Sequence, residues 1–307
     1  MIRFARRLAL QTAGAVLLAA SLPLAALAGQ ADDDYIAARN TAVAALAAAE
    51  KAGANPDDLY KRDETALAAL EKRMGALLGP LKFKGLDAPP TFSPGTLLDG
   101  QIESGEPDGL RFSDTDFTTR LLVSPEPVFT SWLAGRAKEE NAPPALAGGI
   151  KAAMASDIFY TYAISSDAAF SSYVELPVAA GEGETAYAAL GLFSQDVAAN
   201  QVPDSIVITR IASGRVIIGT SEAKVAIKSI PACDQVWKTF AAKAKTLRAA
   251  AQKSKKDDDP RWDDASRAED DGSAAYRACF AKEARSQPFF AAAVARAEAL
   301  LQTARGK

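Results

Sequence analysis

Residues 205–221 read Ser-Ile-Val-Ile-Thr-Arg-Ile-Ala-Ser-Gly-Arg-Val-Ile-Ile-Gly-Thr-Ser, and this stretch decides the fold class. Two β-branched runs, 205–211 and 215–221, flank Ala212-Ser213-Gly214, which reads as a three-residue hairpin loop with Gly placed for a positive φ. Val207 next to Ile208, and Ile217 next to Ile218, make these strands apolar at both parities. Both sheet faces are therefore expected to be covered, one of them by helices.

Moving toward the N-terminus, Ile158, Tyr160, Tyr162 and Ile164 alternate with Phe159, Thr161, Ala163 and Ser165. Ser166-Asp167 can turn the chain, residues 170–178 return, and 187–193 follow. The pattern predicts an antiparallel meander of about four to five strands. Further back, 110–112 and 117–123 have strand texture, ended by Ser124-Pro125-Glu126-Pro127. Residues 128–138 and 145–155 read as short helices.

Helices flank this region. Residues 32–53 form an alanine-rich helix behind the Asp32-Asp33-Asp34 cluster, with Gly53 at its C-terminal end. A second helix begins at Asn55-Pro56-Asp57-Asp58, where Asn caps, Pro opens and acids fill the first turn, and it ends near Gly79-Pro80. After the sheet, Ser229 and Pro231 start a helix with a stripe of Val236, Trp237, Phe240, Ala244 and Leu247. The charged run 253–271, with no apolar period, reads as a solvated loop between two helices. Residues 273–286 and 288–304 complete a helical end. The expected class is α+β: an antiparallel sheet flanked by an N-terminal helical hairpin and a disulfide-linked C-terminal helical segment. Its divisions are 29–80 (hairpin), 81–109 (Pro/Gly-rich connector), 110–228 (sheet region) and 229–307 (helical region).

Residues 1–28 precede this body and read as a cleaved signal peptide. Met-Ile-Arg-Phe-Ala-Arg-Arg carries three positive charges and no acid, an uncharged apolar stretch follows, and Ala26-Leu27-Ala28 presents small residues for cleavage before Gly29. The stretch is broken by Gln11, Thr12, Gly14 and Pro23, which makes it too short for a stable membrane anchor. No cysteine lies near the cleavage position to take a lipid. The pair Arg6-Arg7 also suits a twin-arginine signal, although such pairs are common in ordinary export signals and the general secretory route is the preferred reading. The expected location is periplasmic or secreted.

Composition excludes several chemistries. The chain has no histidine, which removes Ser-His-Asp and Cys-His catalysis, His-ligated metals and an imidazole switch. Its formal charge of −3 becomes −6 once the three arginines of residues 1–28 are removed, so a nucleic-acid partner is not expected. The two cysteines, Cys233 and Cys279, lie in neighbouring predicted helices and are expected to form one disulfide in an oxidising compartment.

Four candidate sites remain. Ser221-Glu222-Ala223-Lys224 has the Ser-x-x-Lys spacing of acyl-serine enzymes, but it closes a predicted strand and lacks the companion motifs. Asp114-Thr115-Asp116 and the acids of 257–271 could bind calcium, yet aligning Gly272 as the loop glycine of an EF-hand puts Arg267 and Ala278 at ligand positions, so no metal is expected. Glu182 and Glu184 pair carboxylates in a Gly-rich loop. Tyr160, Tyr162, Phe170 and Tyr173, interleaved with serines, would suit a surface recognising an envelope protein or a glycan. These features together predict an exported, non-enzymatic binding module of the cell envelope without a cofactor. The alternative is a periplasmic hydrolase using carboxylates or the Ser221/Lys224 pair.

Overall fold

The computed structural model describes residues 24–86, 89–93, 97–98, 107–138, 142, 144–154, 170–193, 202–227 and 230–307, with the side chains of some residues within these elements excepted. The chain opens with the expected helical hairpin, α1 (Leu24–Lys51) and α2 (Pro56–Leu78). Gly53 ends α1 at φ +78°, and the Asn55 side chain accepts the Asp57 N–H at 3.0 Å, so both predicted boundary devices operate. Leu70, Met74 and Leu78 of α2 meet Tyr35 and Leu46 of α1 in the main core.

Among the described residues the sheet has seven antiparallel strands, more than the four or five expected: β1 (Thr91–Ser93), β2 (Gly109–Ser113), β3 (Thr119–Pro125), β4 (Phe170–Glu175), β5 (Thr185–Phe193), β6 (Val202–Ala212) and β7 (Arg215–Ile227). Their order is β1-β2-β3-β7-β6-β5-β4. Two meanders, β1 to β3 and β4 to β7, are thus joined edge to edge where β3 pairs with β7, with Val123 opposite Ile217 and Leu121 opposite Gly219. The sequence showed the second meander, whereas β1 is a three-residue strand inside the proline-rich connector. The hairpin also differs in detail. Ala212 pairs with Arg215, so the loop is the two residues Ser213 and Gly214, both at positive φ, the geometry that matches strand twist. The predicted strand at 158–165 lies outside the described residues.

Both faces of the sheet are covered, as the double-parity pattern required. Leu121, Val123, Ile206, Ile208 and Ile217 point into one core with α1, α2 and α8 (Pro288–Ala304). Val207, Ile211, Val216 and Ile218 point into a second core with α3 (Glu126–Arg136), α4 (Pro144–Ala147) and α5 (Ile150–Met154), filled by Phe129, Trp132 and Met154. Small residues let α8 lie close to the strands: Ala293, Ala297 and Ala304 are buried. A Cβ on Gly219 would sit 2.8 Å from both Ile208 and Leu121.

The C-terminal region holds the largest departure from expectation. Residues 253–271 are not a solvated loop: α6 (Pro231–Ser254) and α7 (Arg261–Glu283) form a long antiparallel hairpin with only a short turn between them. Its periodicity is carried by Ala265, Ala268, Gly272 and Tyr276, buried at spacings of three and four, and a stripe that small is invisible to a search for large apolar residues. A Cβ on Gly272 would lie 2.6 Å from that of Phe240, so the glycine sets the closeness of the two helices. Cys233 and Cys279 are disulfide-bonded at the base of this hairpin, as expected. Toward its tip, Ala244, Ala265 and Ala268 form a small separate core with Leu247. No described helix is long and apolar enough to cross a membrane.

Candidate functional site

The residues singled out by sequence fall in different parts of the fold. Phe170 and Tyr173 lie on β4, at the end of the described strand order, while Tyr160 and Tyr162 lie outside the described residues. Ser221, Glu222, Ala223 and Lys224 are part of β7, with Ser221 paired to Thr119. An extended strand does not provide the single helical turn that brings Ser and Lys together in acyl-serine enzymes.

Several of the candidate carboxylates are engaged by the fold. Asp114 anchors the β2–β3 turn, accepting the Thr118 N–H and Thr118 hydroxyl, both at 2.9 Å. Burial would raise its pKa, but these hydrogen bonds and that from Thr119 outweigh it and hold the carboxyl low. In the acidic run, Asp259 takes two guanidinium hydrogen bonds from Arg261, Asp264 pairs with Arg267, and Glu269 pairs with Arg248 across the α6–α7 hairpin. Among the described residues no group of three or more metal-ligating side chains converges.

Glu182 and Glu184 separate completely. Glu182 is exposed in a turn, whereas the Glu184 side chain is 4% exposed between two arginines. Arg210 of β6 donates to it at 2.6 Å, Arg305 beyond α8 donates through two nitrogens, and the Gly181 N–H adds a third partner at 2.6 Å. The Arg305 hydrogen bond is the main reason its pKa falls to about 2, against the opposing effect of burial. Arg305 also reaches the Ala179 carbonyl, and Glu298 accepts the Ala179 N–H. The cluster fastens the end of α8 to the loop before β5.

Two further buried clusters escaped sequence reasoning, both on α1. Asp32, 2% exposed, pairs with Arg215 at the β6–β7 turn at 3.2 Å. Asp108, 1% exposed, accepts from the Tyr35 hydroxyl at 2.9 Å and from Arg39 Nε at 3.0 Å. Burial, then the neighbouring Asp108 charge, raises the Tyr35 pKa and keeps the phenol a neutral donor. A signal for these contacts existed: Asp32, Tyr35, Arg39, Val43 and Leu46 recur at spacings of three and four, placing polar groups on the packed face. Asp63 of α2 completes the set by accepting the Leu97 N–H at 3.1 Å.

Chemically, these groups are locks. Asp32, Asp63, Asp108 and Glu184 each meet a guanidinium, a phenol or a backbone N–H from a distant part of the chain, Asp259 is held by the nearby Arg261, and among the described residues no two of these carboxylates share a partner in the manner that splits their pKa values for acid–base work. No protein-family model matches the chain, and neither a curated protein nor a solved structure matches it.

Proposed function

We propose that this chain is an exported, non-enzymatic protein that acts in the periplasm or beyond it as a binding or interaction module of the cell envelope, with an envelope protein or a glycan as partner. The observation that carries the reading is the commitment of the buried acids: Asp32, Asp63, Asp108 and Glu184 hold elements together. Catalysis by carboxylates would need such acids to face a substrate. The compartment is supported by the Cys233–Cys279 disulfide and by the basic, then apolar, then small-residue order of residues 1–28. The periphery offers recognition area rather than a reaction centre, because the α6–α7 hairpin exposes long polar faces.

Crosslinking in intact cells, followed by isolation of the chain under denaturing conditions, tests the proposal. A discrete adduct with an envelope protein or glycan is the expected result. Hydrolysis of ester, peptide or glycosidic substrates by the purified protein, abolished by replacing one acid without loss of folding, would overturn it.

A further inference from the structure

From Gln235 to Lys256 the chain carries Lys238, Lys243, Lys245, Arg248, Lys253, Lys255 and Lys256 and no acid. Most of this run is α6, and its charge is laid out by the helix. Cys233, Ala244 and Ala251 are buried, while Lys238, Lys245 and Lys253 follow one another at two-turn spacing on the side turned away from α7. All three are exposed, as are Ala242 and Ala249 between them. No ion pair among the described residues holds any of the three, whereas Arg248, on the flank, is taken by Glu269. The result is a straight basic ridge about 22 Å long at a rise of 1.5 Å per residue, with short side chains between ammonium groups.

We propose that this face of α6, carried by Lys238, Lys245 and Lys253, docks on an anionic bilayer surface. A row of flexible ammonium groups with alanine, threonine and glutamine between them, and acids only at its two ends (Asp234, then Asp257 and Asp258), has the chemistry that phosphate headgroups recognise, and it lacks the aromatic anchors of a protein interface. The hairpin supplies orientation, because the exposed acids Asp263, Asp270 and Asp271 stand on α7. Those acids in a second copy of the chain are the competing occupant. They are a poorer match, since Arg267 and Arg277 are exposed on the same helix. The docking is a property of the folded protein and does not depend on the route by which it leaves the cytoplasm.

The test is co-sedimentation of the full chain with vesicles of pure phosphatidylcholine or of phosphatidylcholine mixed with phosphatidylglycerol. The triple variant K238Q/K245Q/K253Q is compared with a charge-matched control, K61Q/K72Q/K84Q, whose lysines are exposed on or just after α2. The control absorbs any contribution of residues 1–28 and of net charge. On phosphatidylglycerol vesicles the α6 variant is expected to partition about 100-fold more weakly than the parent, about fivefold per lysine, and the control to partition much as the parent does. The parent's preference should fade as salt rises from about 0.01 M to about 1 M, where the screening length drops from about 30 Å to about 3 Å. Equal partition onto the two vesicle types, equal loss in the two triple variants, or salt-sensitive self-association with no vesicle binding would overturn the proposal. Should the triple α6 variant fold poorly by circular dichroism, the single variants K238Q, K245Q and K253Q decide: each is expected to partition about fivefold more weakly on phosphatidylglycerol vesicles, and no loss in any of them would overturn the proposal.

Discussion

Arg215, the first residue of β7, reaches back 183 positions to hold Asp32 of α1 at 3.2 Å. The contact ties the start of the described chain to the hairpin turn at the centre of the sheet. It is asymmetric: burial raises the Asp32 pKa, and the attraction of Arg215 only partly offsets that effect. Removing the arginine therefore strands a buried carboxylate, whereas removing the charge of Asp32 relieves a desolvation cost. We expect Arg215→Ala to destabilise by about 3 kcal/mol and Asp32→Asn by less than about 1 kcal/mol in urea unfolding at neutral pH. Equal losses would show that the pair acts as a simple attractive bridge.

Glu184 predicts the acid behaviour. Its folded pKa of about 2 lies below the ordinary carboxylate value, so its stabilisation is fully present above the unfolded pKa and fades as pH falls through the folded one. Stability should decline between about pH 5 and pH 2, with about 2 kcal/mol of the decline due to Glu184, a figure reduced for the access water has to Arg210 and Arg305. In Glu184→Gln that part of the pH slope should vanish. An unchanged slope would assign the acid sensitivity to other groups.

Gly272 predicts a packing effect where a metal site was once conceivable. An added methyl would gain helix propensity but strike Phe240, so Gly272→Ala should lower stability by about 1–3 kcal/mol. Calcium or chelator should leave the melting temperature unmoved, because Asp259, Asp264 and Glu269 are already held by arginines. A stabilised Gly272→Ala would mean that α6 and α7 can separate at no cost.

These residues also show how much of the protein could be read in advance. The α1–α2 hairpin was legible because Gly53 and Asn55 are punctuation with a direct backbone cause, and the β6–β7 hairpin because β-branched runs flank a glycine. The disulfide followed from there being only two cysteines. The first turns of α7 were not legible, since alanine and glycine contribute to packing through closeness and leave no hydrophobic peak. The union of β3 with β7 was hidden for a different reason: strand pairing across about 90 residues is set by tertiary packing and has no local signature. The arginine locks on Asp32 and Glu184 were missed because an isolated acid in sequence says nothing of a partner far along the chain.

The disulfide closes a 46-residue separation at the base of the α6–α7 hairpin. Replacing both cysteines by serine should cost about 4 kcal/mol by the chain-entropy account, and amide exchange should rise first in α6, whose packing among the described elements is mainly against α7. A loss spread evenly over the sheet would contradict a local staple.

Export to an oxidising compartment is the part of the proposed function on which the rest depends. Intact mass measurement of the chain recovered from fractionated cells, without reductant and with a thiol-alkylating agent present, tests this directly. The expected species lies in the periplasmic or secreted fraction, lacks residues 1–28, begins at Gly29, and carries Cys233 and Cys279 unalkylated and two hydrogens lighter. A full-length chain in the cytoplasmic fraction with both thiols alkylated would contradict it.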